Sequence, residues 1–260
     1  MTLQTIVSTM NQKDDEIIRR MNLNADAIII NQASTVAYHE IVNKGNTIKW
    51  YDFNERGIGL SRNTGLMRAD ADIIQFADDD MVLNDDYKEC ILNEYAKHPE
   101  ADVILFSNKC LNKERMPYEV KKFGKVGRIE AVNFGGARIT ARRKKIIYNN
   151  ISFSLLFGGG SKYCAGEDVT FIQDCIKAGL SVYKSPVVIS TMKQDTSTWF
   201  NGFSEQYFRD KGSLVAKNFP GICKLGIYYL AYKNLKISDY SYCKILSLYR
   251  EGVKEFLANK

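Results

Sequence analysis

Three consecutive carboxylates, Asp78, Asp79 and Asp80, follow directly on the apolar run Ile73-Ile-Gln-Phe-Ala77. A run of that length and type reads as a short buried strand, and the acids fall where it must leave its sheet. Carboxylates at a strand's carboxyl end suit a hard divalent cation, and open α/β sheets bind ligands just beyond those ends. The alternative is a polar turn ahead of a helix near Asn84, with Asp as a turn or capping residue. About ninety residues further on, Gly166-Glu167-Asp168 opens a helical run. Acids there either stabilise the helix dipole or offer a general base. Arg62, in Gly59-Leu-Ser-Arg62-Asn63-Thr-Gly65, has a planar guanidinium that suits a diphosphate or a structural salt bridge.

The elements that must hold these residues alternate in the first half of the chain. Strand-like runs cover 5–9, 27–31, 47–53, 73–77 and 103–107, with helical periodicity over 14–21, 60–67 and 85–97. Strands separated by helices argue for βαβ units and a mainly parallel sheet. Residues 109–150 are irregular and basic, and Gly135-Gly136 and Gly158-Gly159-Gly160 mark tight loops. The helix opened by Gly166 is expected to stop at Gly179. A strand is expected over 181–190, with Pro186 placing it at an edge. From Trp199 the pattern reads as helical to the end. Gly57-Ile-Gly59 resembles part of a dinucleotide loop, but Arg62 stands at the third glycine and the first strand lies far upstream, which excludes that cofactor class.

The chain has 260 residues, 45% hydrophobic and 25% charged, as expected of one globular α/β domain with a small appendage. No apolar run is long enough to span a bilayer. No basic segment followed by an apolar one opens the sequence, so a signal peptide is not expected. Six scattered cysteines without Cys-x-x-Cys spacing read as reduced thiols in a cytoplasmic protein. Only His39 and His98 are present, and His98, just before Pro99, reads as a helix-end residue. The net charge of +6 is unevenly spread. Residues 109–145 carry +9 and residues 220–260 carry +4, which leaves −7 for the part holding the acidic motifs. Such asymmetry points to an anionic partner.

Ser8-Thr9-Met10-Asn11, then the Arg62 segment, then the triple acid, then Gly166-Glu167-Asp168 form an ordered set. Together they resemble the inverting family 2 glycosyltransferases of GT-A fold, whose sequences read Pro-Thr-x-Asn, Ala-Arg-Asn-x-Gly, Asp-x-Asp and Glu-Asp. The resemblance covers about residues 4–195 and is most specific around the triple acid. The stretch 156–171 looks most like bacterial enzymes that build capsular or other surface polysaccharides. The resemblance implies a single Rossmann-like, mainly parallel sheet with flanking helices over 1–195. A helical C-terminal extension over 196–260 would be membrane-proximal or a lid.

It further implies a donor with a nucleotide diphosphate and a Mn²⁺ or Mg²⁺ cofactor to neutralise the leaving diphosphate. Asp80 would be the direct metal ligand. Asp78 would face the ribose or share the metal through water, and Asp79 would be the variable middle residue of the nucleotide-sugar site. Thr9, Asn11 and Asn31 match the uracil and ribose contacts. Asn31 stands where most relatives carry Asp, but an amide offers both donor and acceptor, so UDP remains the favoured nucleotide. Arg62 would pair with the diphosphate. Asp168 would be the general base, with Glu167 as the other candidate or an orienting neighbour. Some relatives add a metal-binding His after the last strand. None occurs here, and Gln194, Asp195 or water are the substitutes. Trp199 and Phe200 either stack on a sugar or belong to the core.

Arg138, Arg142, Arg143, Lys144 and Lys145 form the densest basic cluster. They read either as a solvated helix face or as a contact for the diphosphate of a lipid-linked acceptor or for anionic lipid. The C-terminal Tyr/Lys helices fit a membrane surface or a packed lid. The reading that results is a glycosyltransferase acting on a glycan or lipid-linked oligosaccharide, in the cytoplasm or at the inner face of the plasma membrane. No nucleic acid is expected as partner. A nucleotidyltransferase is disfavoured because Met10-Asn-Gln-Lys13 lacks glycine. A basic RNA- or membrane-binding module leaves the acidic strand end without a role.

Overall fold

The computed structural model describes residues 1–112, 118–192 and 202–259. Among them ten strands form one sheet: β1 (Leu3–Met10), β2 (Asp26–Gln32), β3 (Ala37–Asn43), β4 (Asn46–Phe53), β5 (Ile73–Asp78), β6 (Met81–Leu83), β7 (Val103–Cys110), β8 (Gly124–Lys125), β9 (Ile139–Arg142) and β10 (Val182–Met192). Their order is β3-β4-β2-β1-β5-β9-β7-β10-β6, with β8 beside β10. The part of the sheet formed by β4-β2-β1-β5 is parallel throughout. Around it the sheet is mixed, because β9 runs antiparallel between β5 and β7.

Parallel strands covered on both faces need apolar residues at every position. β2 meets this demand over Ala27–Ile30, whereas β1 also buries Gln4, Thr5, Ser8 and Thr9, and alternation sends successive side chains to opposite layers. Val7, Ile29 and Ala77 pack in one core with α1 (Glu16–Arg20) and α3 (Tyr87–Lys97). Ile6, Ile28, Ile30 and Phe76 pack in a second core with α2 (Ile58–Arg68), α4 (Arg143–Tyr148) and α5 (Glu167–Lys177). The result is a three-layer α/β/α domain, the architecture the sequence predicts.

Three features depart from expectation. The edge strand β3 was not legible: its residues are mostly exposed, so no burial pattern marks it. It exists because Lys44 and Gly45, both at positive φ, turn the chain back onto β4. Pro186 does not mark an edge strand. β10 is paired with β7 on one side and with β8 and β6 on the other, and Pro186 sits where its register with β7 shifts.

The basic cluster is a further correction. Arg138 donates from Nε to the Phe106 carbonyl at 2.7 Å, Arg142 from Nε to Ala101 O at 2.8 Å, and Arg143 from Nε to Ala71 O at 2.9 Å. Lys145 pairs with Asp102 at 3.4 Å. The three arginines anchor the chain around β9 and the start of α4 to β7 and to the loops at Ala71 and Ala101 through backbone carbonyls. Burial pulls Arg138 down to about 10. The three arginines are taken up by these internal contacts, whereas Lys144 and Lys145 stay exposed on α4.

The C-terminal helices α6 (Glu205–Asn218), α7 (Cys223–Lys233) and α8 (Tyr242–Ala258) build a third core. It includes Phe157 and Tyr163 from the loop ahead of α5. The tyrosines divide: Tyr249 is buried, whereas Tyr228, Tyr229 and Tyr232 are exposed. No helix among the described residues is long and apolar enough to cross a membrane.

Candidate active site

The register brings the acidic residues together. β1 lies beside β5 with Ser8 opposite Asp78, so both strands end at the same level. The chain turns at Asp79 and Asp80 and returns as β6, which pairs with β10 at Thr191 and Met192. Thr9 donates its hydroxyl to Asp79 Oδ2 at 2.6 Å. α2 lies over the same strand ends. From it Arg62 donates through Nη2 to Asp78 Oδ1 at 2.7 Å and through Nη1 to Glu167 Oε1 at 2.9 Å.

Arg62 is 3% exposed and lies at the centre of the site. Burial alone would lower its pKa, but Asp78 and Glu167 outweigh that and hold it above its ordinary value. Its placement explains Gly136, since a Cβ there would lie 2.7 Å from the guanidinium carbon. Gly158 clears Glu167 in the same way, its absent Cβ falling 2.8 Å from Oε2. Burial, then Asp168, push Glu167 up to about 6 against the pull of Arg62. One guanidinium serves three carboxylates here, so at least one of them is left short of countercharge.

Asp168 follows at the first turn of α5 and faces the cavity. Its Oδ2 accepts the Gly136 N–H at 3.1 Å and its Oδ1 accepts the Val169 N–H at 2.7 Å. Each oxygen keeps a lone pair for another donor. Asp80, exposed as a residue, is pushed up to about 6 by burial of its carboxyl and then by Asp78 and Asp79.

One cavity of about 890 Å³ collects these groups. Thr9, Arg62, Asp78, Asp79, Asp80, Glu167 and Asp168 all line it. Asn11 and Asn31 do not. Asn11 ends β1 in a left-handed conformation, φ 53°, with its side chain exposed. The Asn31 amide is engaged internally: it accepts from Gln12 N and donates to Gln12 O, both at 3.0 Å, and donates to Asp52 Oδ1 at 2.7 Å. A carboxylate therefore does stand beside position 31. It comes from Asp52, opposite Asn31 in the β2–β4 register. The expected substitutes Gln194 and Asp195, and Trp199 and Phe200, lie outside the described residues.

Sequence reading missed Gln32, Gly135-Gly136 and Lys211. Gln32 lines the cavity and accepts the Gly57 N–H at 2.8 Å. Gly136 supplies the N–H that holds Asp168. Lys211 reaches the cavity from α6, with its ammonium 5.5 Å from the Tyr207 ring. Among the described residues no carboxylate pairs with it.

Among the described residues five carboxylates and two cations line this cavity, a formal −3. A diphosphate would be repelled unless a cation accompanied it. Among the described residues no three acidic, His or Cys groups converge as a cage. Mg²⁺-like cations held by one or two carboxylates together with substrate phosphates do not need one. Asp80 and Asp78 fit that role.

The sequence pattern of Glycosyl transferase family 2 matches residues 2–157, more than half of the chain. No curated protein matches the chain in sequence. Among solved structures, residues 1–349 of S. aureus TarS in complex with UDP-GlcNAc superpose with a TM-score of 0.66 at 14% identity, covering 100% of this chain and 93% of that one. The same TarS fragment with UDP gives 0.59 at 16% identity, over 99% and 71%. The mannosyltransferase PcManGT of Pyrobaculum calidifontis, in complex with GDP-Man and Mn²⁺, gives 0.57 at 11% identity, over 98% and 87%. These likenesses carry the fold and the matched family pattern carries the class: the chain belongs to glycosyl transferase family 2 and has the GT-A fold.

Proposed function

We propose that this glycosyltransferase inverts the anomeric centre of a UDP-sugar and depends on a divalent cation. The observation that carries the reading is the single cavity in which Arg62 joins the triple-acid turn to Glu167-Asp168. A divalent cation at Asp80, shared with Asp78, would offset the charge of the departing diphosphate. Asp168 takes the proton of the acceptor hydroxyl as that oxygen attacks the anomeric carbon from the face opposite the diphosphate. The backbone N–H groups of Gly136 and Val169 hold its carboxylate in place. Glu167 is a positioning residue, since its Oε1 is committed to Arg62. Arg62 likewise organises the acids, because both terminal nitrogens of its fork are engaged by carboxylates.

UDP is favoured by the matched motifs and by the nucleotides bound to TarS. The acceptor class, a glycan of a surface polysaccharide or a lipid-linked oligosaccharide, rests on the resemblance of 156–171. The test is a UDP-sugar turnover assay with Mn²⁺ alongside UDP binding. Asp168→Asn is expected to lose at least about 100-fold in turnover while binding UDP as the parent does. Full turnover in that variant rejects the base assignment. A parent protein that binds GDP in preference to UDP rejects the nucleotide.

A further inference from the structure

The exposed face of α7 carries an apolar stripe unrelated to the cavity. Ile222, Leu225, Tyr229 and Tyr232 follow at i, i+3, i+7 and i+10, a single helical face. They are 55%, 75%, 66% and 71% exposed. The opposite face, Cys223, Ile227 and Ala231, is already buried in the C-terminal core. The helix is therefore apolar on both sides, and only one side is covered. A groove of about 580 Å³ continues the stripe between α7 and α8, with Lys224, Arg250 and Lys254 among its lining and, among the described residues, no acid there.

The nearby acids of α8 are turned to other partners. Glu251 accepts from Arg209 at 2.8 Å, and Glu255 pairs with Lys162 at 2.8 Å. What faces outward is an apolar and aromatic stripe flanked by cations. We propose that this face docks on an anionic lipid bilayer, with α7 lying in the plane of the surface. A helix of 11 residues is about 16 Å long, suited to lying in the interface rather than crossing it. Tyrosine places an apolar ring and a polar hydroxyl at that boundary, and lysine stems lie along it while their ammonium groups reach the headgroups. A second copy of the chain on this face would set one cationic rim against another, which the charge pattern disfavours.

The proposal is independent of the transferase reading. Its test is sedimentation of the full chain with phosphatidylcholine vesicles, with and without phosphatidylglycerol. Binding is expected only with the anionic lipid and should fall as salt rises. Leu225→Asp with Tyr229→Asp should lower vesicle binding by about tenfold or more, and Lys224→Glu with Lys254→Glu should lower it comparably. These residues are exposed, so melting temperatures should stay at the parent value. Equal binding to both vesicles, or undiminished binding by either double variant, overturns the proposal. A dimer in the absence of vesicles that Leu225→Asp dissociates would overturn it too, and would assign the face to a second copy.

Discussion

Arg62 joins two acids that lie far apart in sequence, Asp78 at 2.7 Å and Glu167 at 2.9 Å. With its fork engaged in this way, Lys211 is the cation lining the cavity, among the described residues, that no carboxylate pairs. A contact between a charged donor and a phosphate oxygen contributes about 1.5–3 kcal/mol, or about 10- to 150-fold in affinity. Lys211→Ala is expected to weaken UDP binding in that range, to leave uridine binding unchanged, and to be rescued in part by Lys211→Arg. Calorimetry with UDP, UMP and uridine measures this, and equal UDP affinity in parent and variant removes Lys211 from the diphosphate site.

Asp80 carries a pH dependence of defined sign. Its folded pKa, about 6, lies above that of an unfolded carboxyl. The stability linked to its proton is present in acid and is lost as pH rises through about 6. A cation must displace that proton, so Mn²⁺ affinity measured with UDP should climb as pH passes through about 6 and then level off. Asp80→Asn should bind Mn²⁺ weakly and without that climb. An affinity that is flat with pH in the parent would exclude Asp80 as ligand. At this scale the sequence supplied the acids, because carboxylates at strand and helix ends have local signatures. It did not supply Lys211, one of three cations on α6 with no motif around it.

At the scale of elements, the crossing of α6 and α8 matters most. It buttresses the loop that carries Glu167 and Asp168: the Cys164 N–H donates to Asp210 of α6 at 2.8 Å, and Phe157 and Tyr163 share the core of these helices. The crossing is close because Gly212 and Gly252 lack side chains, and a Cβ on Gly252 would collide with the Arg209 carbonyl. Alanine in a helix gains about 1 kcal/mol over glycine, whereas overpacking against backbone costs about 1–3 kcal/mol or more. Gly252→Ala should therefore lower the melting temperature. Gly226→Ala on α7, with only Val215 Cγ1 at 3.9 Å, should leave it level or raise it. Calorimetric scans of the two variants decide the point, and equal melting temperatures would show that the crossing is not tight.

The central strands were legible because residues buried on both faces leave an uninterrupted apolar run, as in Ala27-Ile-Ile-Ile30. Edge strand β3 and four-residue β9 were not. The first has little burial to leave a pattern. The second is too short to show a period and is held by antiparallel pairing with β5 and β7.

Over the whole molecule, charge and burial separate. The two faces of the sheet and the C-terminal helices form three cores, and residues 157–168 connect the last of these to the acid-lined cavity. The basic segment that balances the acids in the overall charge does not face them. Arg138, Arg142 and Arg143 bind carbonyls, and Lys224, Arg250 and Lys254 line the groove between α7 and α8.

The sequence by itself determined the βαβ order, the acids at the ends of β5 and at the start of α5, and the family. These depend on local runs and on motif order, which neighbouring residues specify. The tertiary structure alone decided which partners the charges take. Arg62 meets Glu167 across 105 positions of chain, Asn31 meets Asp52 across 21, and Lys211 enters from a separate helix. A buried charge is stable only with its partner, and which partner is available depends on sheet register and helix crossing, which no local pattern records.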